Sequence, residues 1–109
     1  MINIIWTEDA AEDMIDIVAF QKSKYGSDRA RKVYDSIQNA IYSISNFAQK
    51  GRVVPELVTL GITSYNEVIH SPWRILYKIS NDSIYITSLI DGRRNVEEIL
   101  YKKVIDGKI

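Results

Sequence analysis

The spacing of apolar residues changes partway along the chain, and this change is the strongest constraint on the fold. From residue 7 to about residue 48, apolar residues recur every three or four positions, which is typical of amphipathic helices. From residue 65 to residue 90, apolar and polar residues alternate, which is typical of strands with one buried face. Helices and strands therefore occupy separate segments, which indicates an α+β fold.

Turn and capping residues divide the first half into elements. Residues 1–6 are predicted to form a strand, and Thr7 is placed to cap a helix that ends at Gly26. Ser27 is placed to cap a second helix of about 20 residues. Because the joint between them is very short, the two helices are expected to form an antiparallel hairpin.

The second half is predicted to contain three strands and a last helix. The strands cover residues 65–70, 73–79 and 83–90. Asn95 is placed to cap the helix, which ends near Gly107. Acidic residues early in this helix and basic residues late in it match the helix dipole.

The predicted fold is α+β in the order β-α-α-β-β-β-α. The antiparallel helical hairpin packs on one face of a mainly antiparallel sheet, and the C-terminal helix is short. Residues 49–61, which contain glycine and proline, are predicted to be irregular. Residues 1–109 are expected to form a single domain, because 109 residues fall short of the roughly 150 of a typical domain.

Alternation in the strands predicts which side of the sheet faces the helices. A turn at Asn81-Asp82 pairs residues 73–79 with residues 83–90. The predicted helix-side residues are Trp73, Ile75, Tyr77 and Ile79 together with Ile84, Ile86, Ser88 and Ile90. The opposite face carries Arg74 and is predicted to stay open to solvent, so a functional site is expected there.

Composition narrows the classes of function. Cysteine is absent and His70 is the single histidine, which excludes thiolate chemistry and a histidine-rich metal site. The 14 basic residues equal the 14 acidic ones, so strong binding to free nucleic acid through bulk charge is not expected. No segment resembles a signal peptide or approaches the ~18 apolar residues of a membrane span. We expect a cytoplasmic protein that uses no cofactor, no metal ion and no membrane.

Three motifs carry a family resemblance: GRVVPEL at 51–57, WRILYKI at 73–79 and IDGRR at 90–94. Over essentially its whole length the chain resembles the RelE/ParE superfamily of toxins from bacterial type II toxin–antitoxin modules. The resemblance implies a small α+β fold and a cognate antitoxin as partner. It also implies one of two targets, because RelE-like members cleave mRNA on the ribosome whereas ParE-like members inhibit DNA gyrase.

A RelE-like activity needs cations on the phosphate and acid–base groups on either side of it. The resemblance assigns the cationic role to Arg74 and to Arg93 or Arg94. It offers Tyr101 as an acid–base candidate, one residue beyond the position of the family's tyrosine. These four residues are the catalytic candidates. The RelE-type lysines of the preceding strand have no counterpart, and Glu67 in that strand would repel phosphate.

Other features favour the ParE branch. The loop at residues 51–56, the long helical hairpin and a last helix without the catalytic lysines are closer to ParE-like sequences. Asn66 and Asp91 depart from the ParE pattern, which usually has arginine and histidine at these places. The resemblance therefore implies a ParE-like toxin, which we expect to inhibit DNA gyrase and to be neutralised by a cognate antitoxin. The alternatives are a ribosome-dependent mRNA endoribonuclease and a degenerate, nontoxic member that only binds antitoxin.

Ion pairing is the structural alternative for each arginine. The pairs considered are Arg74 with Asp91 or Glu67, Arg52 with Glu56, and Arg93 and Arg94 with Glu97 and Glu98. An arginine held in this way stabilises the fold and is not available to a phosphate.

Overall fold

The computed structural model describes residues 3–47 and 51–109. The predicted start of the first strand at residues 1–2 lies outside these residues, as do the predicted end of the second helix at residue 48 and residues 49–50 of the predicted irregular stretch. The described elements are β1 Asn3–Trp6, α1 Glu8–Tyr25, α2 Ser27–Phe47, β2 Arg52–Val53, α3 Pro55–Val58, β3 Asn66–His70, β4 Trp73–Ser80, β5 Ser83–Asp91 and α4 Val96–Ile105. The predicted order is confirmed, and the stretch predicted to be irregular also contains the short elements β2 and α3.

The helical hairpin forms where capping residues end one helix and allow the next to begin. Thr7 caps α1, since its hydroxyl oxygen accepts a hydrogen bond from the Ala10 N–H at 3.2 Å. Gly26 ends α1 with a φ of 92°, a value that favours glycine. Ser27 is the first residue of α2 and not the cap before it.

The strands of the described residues form one sheet in the order β1-β5-β4-β3-β2. β1 runs parallel to β5, and every other neighbouring pair is antiparallel. The hairpin of α1 and α2 packs on one face, where Ile37 and Ile41 of α2 share a buried core with Ile75 and Tyr77 of β4. The predicted helix-side face of β4 is therefore confirmed for Trp73, Ile75 and Tyr77, whereas Ile79 lies outside this core and is 38% exposed.

The opposite face of the sheet is covered, contrary to the prediction that it is open. α3 and α4 pack on this face and bury a second core. That core contains Val54, Leu57, Leu76, Ile90, Val96 and Leu100. The prediction failed because α3 begins at Pro55 in a stretch without visible helical periodicity, and its Leu57 becomes fully buried.

The predicted register of β4 and β5 holds for only part of their length. Tyr77 pairs with Ile86 as predicted, but Leu76 then pairs with Ser88. Thr87 is thus an extra residue on β5, which makes a β-bulge. Beyond the bulge every partner is shifted by one residue.

This bulge changes which side chains of β5 face the helices, because a shift of one residue exchanges the two faces of a strand. Leu89 joins the core under the hairpin and Ile90 joins the second core, which reverses the prediction for both. Contacts with the hairpin hold the shifted strand. The Thr7 N–H donates to the Ile86 carbonyl at 3.0 Å, and the Leu89 N–H donates to the Asp13 carboxylate at 2.9 Å.

Candidate functional site

Arg74 lies on the central strand β4, and two carboxylates enclose its guanidinium group. Its side chain is only 10% exposed. Nη1 and Nη2 donate to the two carboxylate oxygens of Glu56 at 2.7 and 2.6 Å. Nε and Nη2 donate to the two oxygens of Glu67 at 2.7 and 2.9 Å. The planar guanidinium group of this arginine therefore makes two bidentate pairs. The prediction that Arg74 faces open solvent is wrong.

Four charged residues from different elements meet at this point. Glu56 comes from α3 and Glu67 from β3, next to β4 in the sheet. Arg52 of β2 lies opposite Glu67 and donates to it through Nε at 2.7 Å. We call Arg52, Glu56, Glu67 and Arg74 the arginine–glutamate cluster. Arg52 pairs with Glu67 and not with Glu56 as considered above, whereas the predicted alternative pairing of Arg74 with Glu67 is present.

Pairing within the arginine–glutamate cluster favours the charged forms of Glu56 and Arg74. Hydrogen bonds from Arg74 hold the pKa of the Glu56 carboxyl below its ordinary value, although burial acts in the opposite direction. Hydrogen bonds to Glu56 and Glu67 raise the pKa of the Arg74 guanidinium. The Glu67 side chain is fully buried, which is tolerable for a carboxylate only when cations neutralise it.

Arg93 and Arg94 lie in the turn between β5 and α4, and both are exposed. Arg93 donates from Nε and Nη2 to the Asp91 carboxylate at 3.0 and 2.8 Å, so it pairs with Asp91 and not with Glu97 or Glu98. These hydrogen bonds lower the pKa of Asp91. Among the described residues, the Arg94 side chain makes no hydrogen bond or close ion pair. Both arginines line a cleft beside α1 that Arg74 and Tyr101 do not line.

Tyr101 lies on α4 and is 55% exposed. It lines a groove of about 420 Å³ between α3 and α4. The groove also carries Glu56, Glu97 and Glu98, so its acidic lining disfavours a phosphate group. Glu56 is common to this groove and to the arginine–glutamate cluster. The four catalytic candidates are thus divided, with Arg74 and Tyr101 near Glu56 and the other two arginines beside α1.

Sequence reasoning missed the role of Glu56 and the presence of a buried amide at Gln21. Gln21 of α1 is 5% exposed. Met14 belongs to the hairpin core and Ile17 packs against it. Gln21 lies seven positions after Met14 and four positions after Ile17. A polar residue at helical spacing within an apolar stripe is the signal that marks it.

Neither a metal site nor a membrane span is found in the described chain. Residues 3–47 and 51–109 contain no group of three or more histidine and acidic side chains placed to hold a metal ion. No helix in these residues is long and apolar enough to cross a membrane.

A helical hairpin over a mainly antiparallel sheet, with the arginine motifs on its central strand and after its last strand, is the arrangement that the resemblance to the RelE/ParE superfamily implies. Residues 4–96 match the family described as the ParE toxin of the type II toxin–antitoxin system parDE. The chain therefore belongs to the ParE toxin family, and the resemblance seen in its motifs is confirmed.

A solved structure shows the same fold. A chain of the chromosomal ParDE toxin–antitoxin system from P. aeruginosa aligns with a TM-score of 0.69 at 18% sequence identity. The alignment covers 84% of this chain and 96% of that one. No match is found among curated proteins. The family match, together with this shared fold, makes the chain a type II toxin of a toxin–antitoxin system, with a cognate antitoxin as its partner.

Proposed function

We propose that this toxin inhibits DNA gyrase and that its cognate antitoxin neutralises it by covering its surface. The observation that carries the proposal is the pairing of Arg74 with Glu56 and Glu67. A ribonuclease that used this arginine would have to exchange two carboxylates for an RNA phosphate. A toxin that acts through contacts with a protein–DNA complex needs no such exchange.

The surface of the helical hairpin supports a toxin that works through protein contacts. Ile15, Phe20 and Tyr42 of the hairpin are all more than half exposed. Exposed aromatic residues are enriched where proteins bind one another. An antitoxin segment that is disordered alone and folds along the hairpin and the sheet edge would bury this apolar surface.

The proposal extends to the setting in which the toxin acts. The chain works as a single domain of residues 1–109 in the cytoplasm, and gyrase inhibition arrests growth. Its net charge of zero agrees with this mechanism, because contacts with gyrase do not require a basic surface.

Two assays on one preparation of the toxin test the proposal. Purified gyrase is expected to introduce fewer negative supercoils into a relaxed plasmid as toxin is added. Antitoxin is expected to restore this activity. Primer extension on mRNA from a translating extract is expected to show no toxin-dependent cuts. Codon-specific cuts with supercoiling intact would instead support the ribosome-dependent endoribonuclease. No response in either assay would support the nontoxic member that only binds antitoxin.

A further inference from the structure

A cleft of about 560 Å³ lies between the C-terminal half of α1 and the turn that joins β5 to α4. Sites for small ligands usually have volumes of ~300–1,000 Å³. The cleft is separate from the arginine–glutamate cluster, since none of the four cluster residues lines it. Its lining combines basic side chains, aromatic rings and one buried amide, and each of these suits a different part of one ligand.

The charge of the cleft favours an anion. Four basic and two acidic side chains line it, a net charge of +2 in a chain whose net charge is zero. One of the acids, Asp91, is already bound by Arg93. Arg94 is exposed, and its side chain makes no hydrogen bond or close ion pair among residues 3–47 and 51–109. Its guanidinium fork matches the geometry of a phosphate group.

Aromatic rings stand beside these cations. Phe20 and Tyr25 are 57% and 54% exposed, and both line the cleft together with Trp73. The Lys24 Nζ atom lies 5.5 Å from the ring centroids of both Phe20 and Tyr25. Exposed rings of this kind stack on nucleobases. A stacking surface next to basic groups fits a base that carries a phosphate.

Gln21 supplies the third feature. Its side chain lines the cleft, and its Oε1 atom is buried without a hydrogen-bond partner in the described part of the chain. A buried acceptor that lacks a partner destabilises the folded state. A carboxamide is both donor and acceptor, and the edge of a base offers the complementary groups.

From these features we propose that the cleft binds a nucleotide. The phosphate contacts Arg94, the base stacks on Phe20 or Tyr25, and the edge of the base meets Gln21. This binding activity goes beyond gyrase inhibition and does not depend on it. A free nucleotide and a single-stranded nucleic acid share this chemistry.

Calorimetric titration of the full chain with ATP tests the proposal. ATP is expected to bind at one site, and adenosine and inorganic triphosphate are each expected to bind about tenfold more weakly or worse, since each makes only part of the contacts. A short oligo(dA) strand that binds more tightly than ATP identifies a nucleic acid strand as the source, and weaker binding identifies the free nucleotide. Absence of ATP binding at millimolar concentration, or triphosphate binding as tightly as ATP, would overturn the proposal.

A variant in the cleft and a matched control outside it test whether ATP binds in this cleft. Arg94→Ala is expected to weaken ATP binding about tenfold or more, as expected for a lost charged hydrogen bond. Arg31→Ala removes the same charge from an exposed site on α2 that does not line the cleft, and it should leave ATP affinity within about twofold. Equal losses in these two variants would show nonspecific charge attraction and contradict the site.

Gln21→Met separates ligand recognition from folding, because methionine has a similar shape and no acceptor that needs a partner. The variant should bind ATP about tenfold more weakly, bind triphosphate as before and melt at the same or a higher temperature. Unchanged ATP affinity in this variant would contradict the role given to the amide.

Discussion

Arg74 illustrates how neighbouring side chains decide what an arginine on a strand can do. Its strand position was evident from the alternation of β4, and the family resemblance singled it out. Its partners were only partly evident, because Glu56 reaches it from α3 across a gap of 18 positions in the chain. Sequence spacing does not reveal such a contact. The carboxylates turn a residue with the chemistry of a phosphate ligand into the centre of a buried ion-pair cluster.

The buried position of Glu67 makes it the most sensitive member of the arginine–glutamate cluster. Glu67→Ala is expected to lower the free energy of unfolding by about 3 kcal/mol, because it leaves two arginines without one of their carboxylates. Glu97→Ala on the exposed face of α4 is the matched control and should change it by less than about 0.5 kcal/mol. Urea denaturation followed by circular dichroism measures both. Similar small losses in the two variants would contradict the structural role of the cluster.

Glu56 gives the cluster a pH dependence. Its pKa is lower in the folded protein than its ordinary value of 4.5, mainly because Arg74 donates hydrogen bonds to it. A lowered carboxyl pKa contributes stability above the ordinary pKa, and this contribution is lost as the pH falls through the folded-state pKa. The free energy of unfolding should therefore fall with pH below about 4.5, and Glu56→Gln should show a shallower fall. Urea denaturation of both proteins between about pH 7 and pH 3 measures this, and parallel curves would contradict it.

Among the elements, β5 shows why the fold was predicted more completely than its register. The helical periods of α1 and α2 and the alternation of β4 are local signals, and the structure confirms them. The bulge at Thr87 has no such signal, because a shifted register gives an equally apolar pattern in residues 86–90. The shifted strand is held because β5 accepts a hydrogen bond from Thr7 and donates one to Asp13, and these residues lie about 80 positions earlier in the chain.

The contacts that hold α4 also join residues far apart in the sequence, so they could not be predicted from it. Lys103 is 9% exposed and donates from Nζ to the carboxylates of Asp9 and Asp13 at the start of α1. Burial raises the pKa of Asp13, and Lys103 acts against this shift. One lysine thus joins the last helix to the first.

Lys103 and its neighbour Lys102 form a matched pair for a test. Lys103→Ala should lower the free energy of unfolding by about 1–3 kcal/mol and speed amide exchange in α4, since it removes the side chain that joins α4 to Asp9 and Asp13. Lys102 is exposed, and Lys102→Ala should change stability by less than about 0.5 kcal/mol. Equal effects of the two substitutions would show that the contacts of Lys103 do not hold α4.

At the scale of the whole molecule, the sheet is covered on both faces and leaves little of its polar surface free. Local patterns predicted the hairpin side correctly. The other side was predicted to be open because Arg74 and Lys78 lie on it, and charged side chains usually face solvent. Glu56 and Glu67 neutralise Arg74 instead, so α3 and α4 can pack over that face. The exposed side chains to which we assign binding roles consequently lie on the hairpin and in the turn before α4.

Supercoiling of a relaxed plasmid by purified gyrase shows whether the toxin acts on gyrase. Supercoiling should decline as the toxin approaches the concentration of gyrase, and antitoxin should reverse the loss. Full supercoiling at a large excess of folded toxin would contradict inhibition of gyrase.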